Sequence, residues 1–563
     1  MARWVFAIVS VLLGVAFVWP LFSVIAGGFY DGEFTLKYLC AVFRNPIYVE
    51  GLRNSIMLAI GTTVLASLVS LPLAWLANRF DFPGKSILTA LLLVPMILPP
   101  FVGAIGFQQL LGQYGALNAL LGLGPVDWLG KGRYLGVILL QALALYPIMF
   151  LNTTAALANI DPAMEEAAEN LGCSGLRKFL RVTLPLAMPG IFAGSTIVFI
   201  WSFTELGTPL IMNFGRCASV QVYDALKEIG SNPFPYALVL VMLLVSVSLY
   251  AAAKLLFGKK VYAMQGKASV ATASRRVCGL PGLLVALPFA VVVCLALTPH
   301  VGVVLLSASE PGSWYQTVVP EIFTTVNYVD ALGHDMTVGS IRNSLLFSSL
   351  ALVVNLILGV AIAFVVVRSD IRWRGLLDAV AMIPLAVPGL VMAFGYLSIS
   401  ARMSNTGIVR ESEFLTSLVD VRTNPTLFLV VAYAVRRLPY MVRSAVAGLQ
   451  QTSVTLEEAA ANMGSTPMTT LRRITMPLIT ANVIAGGLLV FAFSMLEVSD
   501  SLMLAQQADF YPITKTIYEL FQLLGTGRYI AAALGVWAMV FLAVTILGAS
   551  ILLGRKMGAI FRV

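Results

Sequence analysis

The sequence predicts an all-α, polytopic membrane protein with about twelve transmembrane helices, arranged as two parallel six-helix repeats. Composition is the first observation behind this prediction: 59% of the 563 residues are hydrophobic, 11% are charged and the mean hydropathy is +0.89. Soluble domains carry about a quarter charged residues. The second observation is a polar segment that occurs twice, and the third is a one-sided distribution of basic loops.

The transmembrane helices are predicted from the apolar segments. A helix needs about 20 mainly apolar residues to cross a bilayer. Segments that meet this requirement lie near 4–27, 53–78, 87–111, 135–158, 189–213, 236–257, 279–307, 343–367, 376–400, 426–449, 482–505 and 530–553. The first is too long, and too closely followed by the second, to be only a cleaved signal peptide, so we expect it to remain as a helix.

The polar segment that occurs twice indicates a duplication. Residues 165–172 read EEAAENLG and residues 457–464 read EEAAANMG, so six of the eight positions match. The match continues downstream without a gap through three further pairs: Arg181 and Arg473, Thr183 and Thr475, and Pro185 and Pro477. We call the surrounding loops, 159–188 and 451–480, the first and the second cassette.

The duplication extends upstream and defines two halves. An Arg-Asn-Ser motif at 53–55 recurs at 342–344. We expect a first half at 1–257, a polar and basic linker at 258–277, and a second half at 278–563. Six helices is an even number, so both halves have the same orientation and are related by a pseudo-two-fold axis along the membrane normal.

The net charge of +9 comes from basic residues whose distribution predicts how the chain is oriented in the membrane. The basic residues collect in the loops that are cytoplasmic if the N-terminus is inside, and positively charged loops face the cytoplasm. Both termini and both cassettes are therefore predicted to be cytoplasmic. This distribution argues against a nucleic-acid partner and leaves membrane lipid as the surroundings of the chain.

Each cassette is predicted to form a helix, a turn and a second helix. Asp161 and Ser453 are suited to cap the first helix, and the glutamates near its start suit the helix dipole. Gly172 and Gly464 permit a turn that other residues resist. The second helix is basic and is expected to end at the proline pair Pro185 and Pro477, before the membrane resumes.

The cassette pattern Glu-Glu-Ala-Ala, three residues and Gly resembles the coupling motif of permease subunits in binding-protein-dependent ABC importers. The resemblance covers about 50–255 and 340–550, and it implies the type I importer permease fold. The fused arrangement is similar to the ferric-iron branch, which also has relatives for thiamine and for phosphonates or phosphorylated compounds. No residue selects iron over these other solutes.

The resemblance implies that each cassette contacts one of two ATPase subunits. The contact residues it implies are Glu165, Glu166, Ala167 and Gly172 in the first cassette, and Glu457, Glu458, Ala459 and Gly464 in the second. Ala461 stands opposite Glu169, so the two docking surfaces are expected to differ in charge. The family belongs in a bacterial cytoplasmic (inner) membrane.

The sequence shows no motif for a nucleotide site or a catalytic site. A P-loop needs the spacing G-x-x-x-x-G-K-[ST], which is absent, so ATP and Mg²⁺ are expected on the partner subunits. The loops 28–52 and 308–342 are the expected docking surfaces for a solute-binding protein. No metal-ligand spacing, cofactor motif or catalytic residue is found, and whether Cys40 and Cys217 pair stays open.

Four ionisable residues in the apolar segments are candidates for the transport path: Glu205, Glu497, Arg436 and Arg437. Such groups are costly in a membrane and usually face a cavity or a partner. In one interpretation the arginines bind backbone near Pro439, or pair with Glu497, and never meet solute. In the other they form a cationic lining. Two proline pairs are expected to kink helices beside them: Pro95 and Pro99, and Pro384 and Pro388.

Two other function classes fit the sequence less well. A secondary transporter requires ion-coordinating acidic clusters in broken helices, and the sequence has only isolated acids. A membrane-embedded enzyme requires a constellation such as Ser and His within the helices, and the two histidines are isolated. The sequence therefore favours an ATP-driven importer permease, with ferric iron as the solute that the resemblance implies.

Overall fold

The structure is a computed structural model that describes residues 2–31, 33–96, 99–228, 232–264 and 275–553. Long helices dominate it, and we number them in chain order. They are α1 Ala2–Phe29, α2 Pro46–Arg79, α3 Lys85–Met96 with Pro100–Leu121, α4 Tyr134–Ala158, α5 Gly175–Thr204, α6 Phe234–Met264, α7 Gly279–Ser307, α8 Asp335–Arg368, α9 Arg374–Leu385 with Gly389–Ser404, α10 Thr426–Gln451, α11 Pro467–Met495 and α12 Gly527–Leu553.

Every one of the twelve predicted segments overlaps a helix, although 189–213 and 482–505 extend beyond the ends of α5 and α11. Within the described residues, nine helices are long and apolar enough to cross a membrane, and eleven if α3 and α9 each cross once. The remaining segment is α10, which is less apolar because it carries Arg436, Arg437 and Arg443. The all-α membrane fold is confirmed.

The kinks expected at the paired prolines are confirmed. The two parts of α3 meet at 96° and the two parts of α9 at 101°. Pro99 and Pro388 have extended backbone and stand directly before the second part of each helix. Proline lacks the N–H that a continuing helix needs, and its ring clashes with the preceding turn. The chain therefore restarts as a new helix in a new direction.

The two halves pack in the same way and exchange their first helices. In the first half α2, α4 and α5 pack together, as α8, α10 and α11 do in the second. However, α1 packs on α9 of the second half, and α7 packs on α3 of the first. Gly106 and Gly395 allow these close approaches, because an added Cβ would lie 2.3 Å from Val303 N and 2.7 Å from Pro20 O.

The repeated Arg-Asn-Ser motif fastens a loop to the helix bundle in each half. The Asn54 side chain donates to the Arg216 carbonyl at 2.8 Å, and Asn343 donates to the Tyr511 carbonyl at 3.2 Å. Both serine hydroxyls accept from a backbone N–H: Ser55 from Ala218 at 2.9 Å, and Ser344 from Ile513 at 2.7 Å. The motif is therefore structural, and it places equivalent loops at the bundle end opposite the cassettes. We call this end the far face.

The segment expected to link the halves is described only at its two ends. Helix α6 runs to Met264, so residues 258–264 are helical, whereas residues 265–274 lie outside the described residues. Arg275–Arg276 then forms a short parallel strand pair with Phe80–Asp81. The second half is thereby joined to the chain directly after α2.

Candidate functional site

The first helix of each cassette is capped as the sequence predicts. These helices are Pro162–Asn170 and Val454–Asn462. Asp161 Oδ1 accepts a hydrogen bond from the Ala163 N–H at 3.0 Å, and Ser453 Oγ accepts from the Thr455 N–H at 3.3 Å. Each side chain satisfies a backbone donor that the helix itself leaves free.

Both cassette helices end in the same glycine turn. Gly172 has φ of +79° and Gly464 has φ of +82°, which is the left-handed region that glycine adopts without strain. In the first cassette the Cys173 N–H bonds to the Ala168 carbonyl at 2.9 Å, and in the second Ser465 N–H bonds to Ala460 at 3.0 Å. This is a Schellman ending, so the turn predicted at both glycines is confirmed.

The second helix of each cassette is not separate, and this part of the prediction is wrong. It is the beginning of α5 in the first half and of α11 in the second, and both helices run past Pro185 and Pro477. One wide π turn, Phe179–Thr183 or Leu471–Thr475, precedes each proline. A wide turn shifts the hydrogen-bond register and accommodates the N–H that proline lacks. Each cassette is therefore continuous with a long helix of the bundle.

The first glutamate of each motif anchors its cassette to the bundle. Glu165 accepts from Arg79 Nη1 at 2.8 Å and from Thr183 Oγ1 at 2.7 Å. In the second half Glu457 accepts from Arg368 Nε at 3.2 Å and from Thr475 Oγ1 at 3.1 Å. The arginines end α2 and α8, so the same three-part junction occurs twice.

The environment of Glu165 favours its charged form. Burial alone would raise the pKa of this carboxyl, but the hydrogen bond from Thr183 and the charges of Lys178 and Arg79 together lower its pKa below the ordinary value. The anchor is therefore an ionised carboxylate at neutral pH.

The two cassettes differ in one further ion pair. Lys178 Nζ lies 2.5 Å from Glu169 Oε1 in the first cassette. The corresponding positions in the second cassette are Thr470 and Ala461. The first cassette has two more acids, Asp161 and Glu169, and one more base, so Lys178 offsets only part of the expected difference in charge.

The other expected contact residues of the cassettes face outward. Glu166, Ala167, Glu458 and Ala459 are exposed. Beside them, Leu171 is 88% exposed and its counterpart Met463 is 89% exposed. A large apolar side chain is therefore exposed at the same position of both cassettes.

All four candidate path residues line one cavity of about 160 Å³ in the middle of the bundle. Much of its lining consists of repeat counterparts: Pro95 and Pro384, Pro99 and Pro388, Ile148 and Tyr440, Trp201 and Phe493, and Glu205 and Glu497. A cavity lined by counterparts lies on the pseudo-two-fold axis. We call it the central cavity.

The arginines of the central cavity pair with acids, as one of the two interpretations predicts. Arg436 Nη1 lies 2.5 Å from Glu497 Oε1 and 3.6 Å from Asp500 Oδ2. Arg437 bonds to the other oxygen of Glu497 and to the Phe493 carbonyl at 3.0 Å, while α10 stays helical through Pro439. The arginines still line the cavity, and their contact with solute stays a prediction.

Asp500 is a member of this cluster that the sequence reasoning missed. It is buried three residues after Glu497 on the short helix Ser499–Leu504. The sequence did carry a signal for Asp500, because it lies only three residues after the candidate Glu497 in an apolar region. Space for Arg436 is provided by Gly389, because a Cβ there would lie 1.7 Å from the guanidinium.

Glu205 and Glu497 lie just after the ends of α5 and α11, rather than within the helices as predicted. Helix α5 ends at Thr204 and α11 at Met495. The backbone carbonyls of the two glutamates accept hydrogen bonds from Ser219 Oγ and Thr514 Oγ1, each at 2.7 Å. The far-face loops therefore hold both glutamates in equivalent positions.

A further contact between the halves, which was not predicted, lies on the far face. Lys515 Nζ lies 3.2 Å from the hydroxyl of Tyr223 and 2.8 Å from Glu519. It also lies 5.7 Å from the ring centroids of Tyr223 and of its counterpart Tyr518, whose rings meet edge to face. We call these four residues the far-face latch.

Cysteine and metal chemistry do not define a site in the described part of the chain. All five cysteines are described and free, so Cys40 and Cys217 do not pair. The described residues contain no group of three His, Cys, Asp or Glu side chains placed to hold a metal ion.

A duplicated helix bundle with a polar cavity on its axis and two protruding cassettes defines a multi-pass membrane permease. The chain belongs to the family of binding-protein-dependent transport system inner membrane components, which matches residues 70–261 and 355–551. It is thus the non-catalytic permease subunit of a binding-protein-dependent ABC importer of the inner membrane. Its partners are an ATPase and a binding protein.

Individual relatives differ in their named solutes. The ferric transport system permease protein FbpB of Actinobacillus pleuropneumoniae is 26% identical over 88% of this chain and 70% of its own length. A putative ferric transport system permease of Haemophilus influenzae is 25% identical over 86% of this chain and 74% of its own. The molybdenum transport permease ModB of Haemophilus influenzae is 35% identical over 28% of this chain and 70% of its own.

Proposed function

We propose that this chain is the permease of a ferric-iron importer. The support is the length of chain that the similarity covers. The ferric relatives match more than four fifths of this chain, so the match includes both halves in one fused protein. The molybdenum relative is more identical but matches 28% of the chain. Import of molybdate is therefore the second candidate.

The cassettes are the proposed docking sites for two ATPase subunits, which carry ATP and Mg²⁺. Three features support this assignment: an anchored helix, an exposed acidic and alanine face, and the exposed pair Leu171 and Met463. The surface occurs twice around a pseudo-two-fold axis, which suits two copies of one partner. The cassettes and both termini then lie in the cytoplasm, in agreement with the positively charged loops.

The continuity of α5 and α11 is the observation that carries the proposed mechanism. Helix α5 has 30 residues, about 45 Å at 1.5 Å per residue, and it runs from the cassette turn to Glu205 at the central cavity. A displacement of the cassette by the ATPase therefore moves the end of the helix that borders the cavity. Closure of the ATPase pair on ATP opens the cavity to the far face, and hydrolysis resets it.

The binding protein delivers solute to the far face in this proposal. The loops 28–52 and 308–342 contribute to that face, and solute released there enters the central cavity between Glu205 and Glu497. Four charged side chains line this cavity: Glu205, Glu497, Arg436 and Arg437.

Uptake by a reconstituted complex tests the proposed solute. The permease is co-expressed with its ATPase, placed in liposomes and supplied with the binding protein, and uptake of radioactive Fe³⁺ or molybdate is measured with and without ATP. ATP-dependent Fe³⁺ uptake supports the proposal. Uptake of molybdate alone selects the second candidate, and ATP-independent uptake contradicts the importer mechanism.

A further inference from the structure

A second cavity, of about 420 Å³, lies on the far face where the two halves meet. It lies between α3 and the segment before α4 on one side, and the end of α7 and the start of α12 on the other. Its lining includes Gln108, Asp127, Arg133, Trp314 and Arg528. None of its lining residues are repeat counterparts of one another, so the cavity is off the pseudo-two-fold axis, unlike the central cavity. We call it the side pocket.

The side pocket has an excess of positive charge. Arg133 and Arg528 line it together with one acid, Asp127, whose Oδ1 accepts from the Leu129 N–H at 3.0 Å. Within the part of the chain that the structure describes, neither arginine forms a salt bridge. This distinguishes them from Arg436 and Arg437, which have acidic partners in the central cavity.

The protein contacts of the two arginines leave donors free. Arg133 Nη1 donates to Gln108 Oε1 at 3.0 Å and to the Met212 carbonyl at 3.3 Å. Arg528 Nη2 donates to the hydroxyl of Tyr529 at 2.9 Å, and its guanidinium stacks on that ring at 4.9 Å. A guanidinium has five N–H donors, so each arginine retains donors for a ligand. A carboxylate is the ligand that the planar guanidinium binds through two parallel hydrogen bonds.

The rim of the side pocket has the composition of a protein interface. Tyr114 and Tyr315 are 41% and 58% exposed, and their rings stand 5.3 Å apart. Beyond the lining itself, Val318 and Val319, which follow Tyr315 by three and four residues, are 42% and 52% exposed. Aromatic residues and arginine are enriched in protein interfaces. Exposed apolar side chains around a charged centre are suited to cover a buried ion pair.

We infer that the side pocket receives an Asp or Glu side chain of the solute-binding protein. The inference rests on the proposed function, in which that protein docks on the far face. The position off the axis favours a docking site over a solute site, because solute passes through the central cavity on the axis. One off-axis pocket also fixes a single orientation of an unsymmetrical protein on a nearly symmetrical face.

Stimulation of ATP hydrolysis tests this inference in the reconstituted complex. The concentration of loaded binding protein that gives half-maximal stimulation is measured for Arg133→Gln, Arg528→Gln and the charge reversal Arg528→Glu. We expect the two neutral variants to raise this half-maximal concentration about tenfold, with the maximal rate of ATP hydrolysis unchanged. We expect Arg528→Glu to raise the concentration further. Arg410→Gln, an exposed arginine elsewhere on the far face, is the matched control and should behave as wild type.

Compensation identifies the partner group. Acidic residues of the binding protein are replaced one at a time by Lys, and one such variant should restore stimulation of the Arg528→Glu complex. Unchanged half-maximal concentrations in both neutral variants would overturn the inference. Arg528 is exposed and contacts mainly Tyr529, so its variants remain informative if Arg133→Gln does not fold.

Two further outcomes separate the alternatives. Binding of citrate to the complex without binding protein, lost in Arg528→Gln, would show a free-anion site and overturn the inference. A wild-type complex that no loaded binding protein stimulates would contradict the proposed function, and the docking assignment with it.

Discussion

Arg79 at the end of α2 donates a hydrogen bond to Glu165 of the first cassette, with Nη1 and Oε2 2.8 Å apart. The same relationship joins Arg368 to Glu457 in the second half. The two glutamates that begin the cassette motif therefore have different roles from their neighbours: they fasten the cassette, whereas Glu166 and Glu458 face outward.

Separate roles predict separate effects of substitution. Glu165→Ala removes the partner of Arg79 and Thr183, and we expect it to weaken the attachment of the cassette by about 1 kcal/mol, since the pair is partly screened by solvent. Amide hydrogen exchange in 162–170 should accelerate. The control Glu166→Ala should leave exchange unchanged and instead weaken binding of the ATPase. Equal exchange in both variants would contradict an anchoring role.

The anchor also predicts a pH dependence. The pKa of Glu165 is lowered from its ordinary value of 4.5 in the folded protein. Its stabilising contribution is therefore fully present above pH 4.5 and is lost as the pH falls through the lowered pKa. Hydrogen exchange in 162–170 should be steady from pH 7 to 5, after correction for intrinsic exchange, and rise below pH 4.5. The Glu165→Gln protein should lack this step, and an identical step there would assign it to another group.

The ion cluster of the central cavity predicts a large loss of stability. Arg436→Ala leaves Glu497 and Asp500 without one of their cations, and removal of one member of a buried ion pair costs about 3–5 kcal/mol. The melting temperature in detergent should fall clearly, and Glu497→Gln added to Arg436→Ala should recover part of the loss. Wild-type stability of the single variant would show that water already screens the cluster.

The far-face latch predicts a change in the resting state. Lys515→Met removes the hydrogen bond to Tyr223 and the attraction to the tyrosine rings, each of which contributes about 1 kcal/mol. Weaker contact between the halves should favour the state open to the far face, so basal ATP hydrolysis without binding protein should rise. Lys37→Met, which removes an exposed contact with Tyr38, is the control. An unchanged or lower basal rate in Lys515→Met would contradict a latch.

Much of the fold could be predicted because its signals are local. The apolar segment 279–307 has the same bounds as α7, and the capping residues and glycines of the cassettes give their helices and turns directly. The predicted start of α5 failed, because a wide turn lets the helix continue through Pro185.

The contacts between the halves could not be predicted in the same way. Tyr223 and Lys515 are distant in the sequence, and the counterpart of Lys515 is Val220, so the repeat gives no indication that they meet. The exchange of α1 and α7 between the halves likewise depends on tertiary packing. Of the central cavity, the sequence supplied the charged residues but not their pairing with Asp500.

The central claim is that the cassette turns couple the ATPase to the helices. The most direct test is co-purification of the ATPase, and its stimulated hydrolysis, with the paired variants Gly172→Val and Gly464→Val. A β-branched residue is strained at positive φ by about 1–2 kcal/mol, whereas Asn tolerates it, so Gly172→Asn with Gly464→Asn is the matched control. We predict that the valine protein folds but loses most of its ATPase and stimulation, while the asparagine protein keeps both. Full association and stimulation in the valine protein would contradict the account.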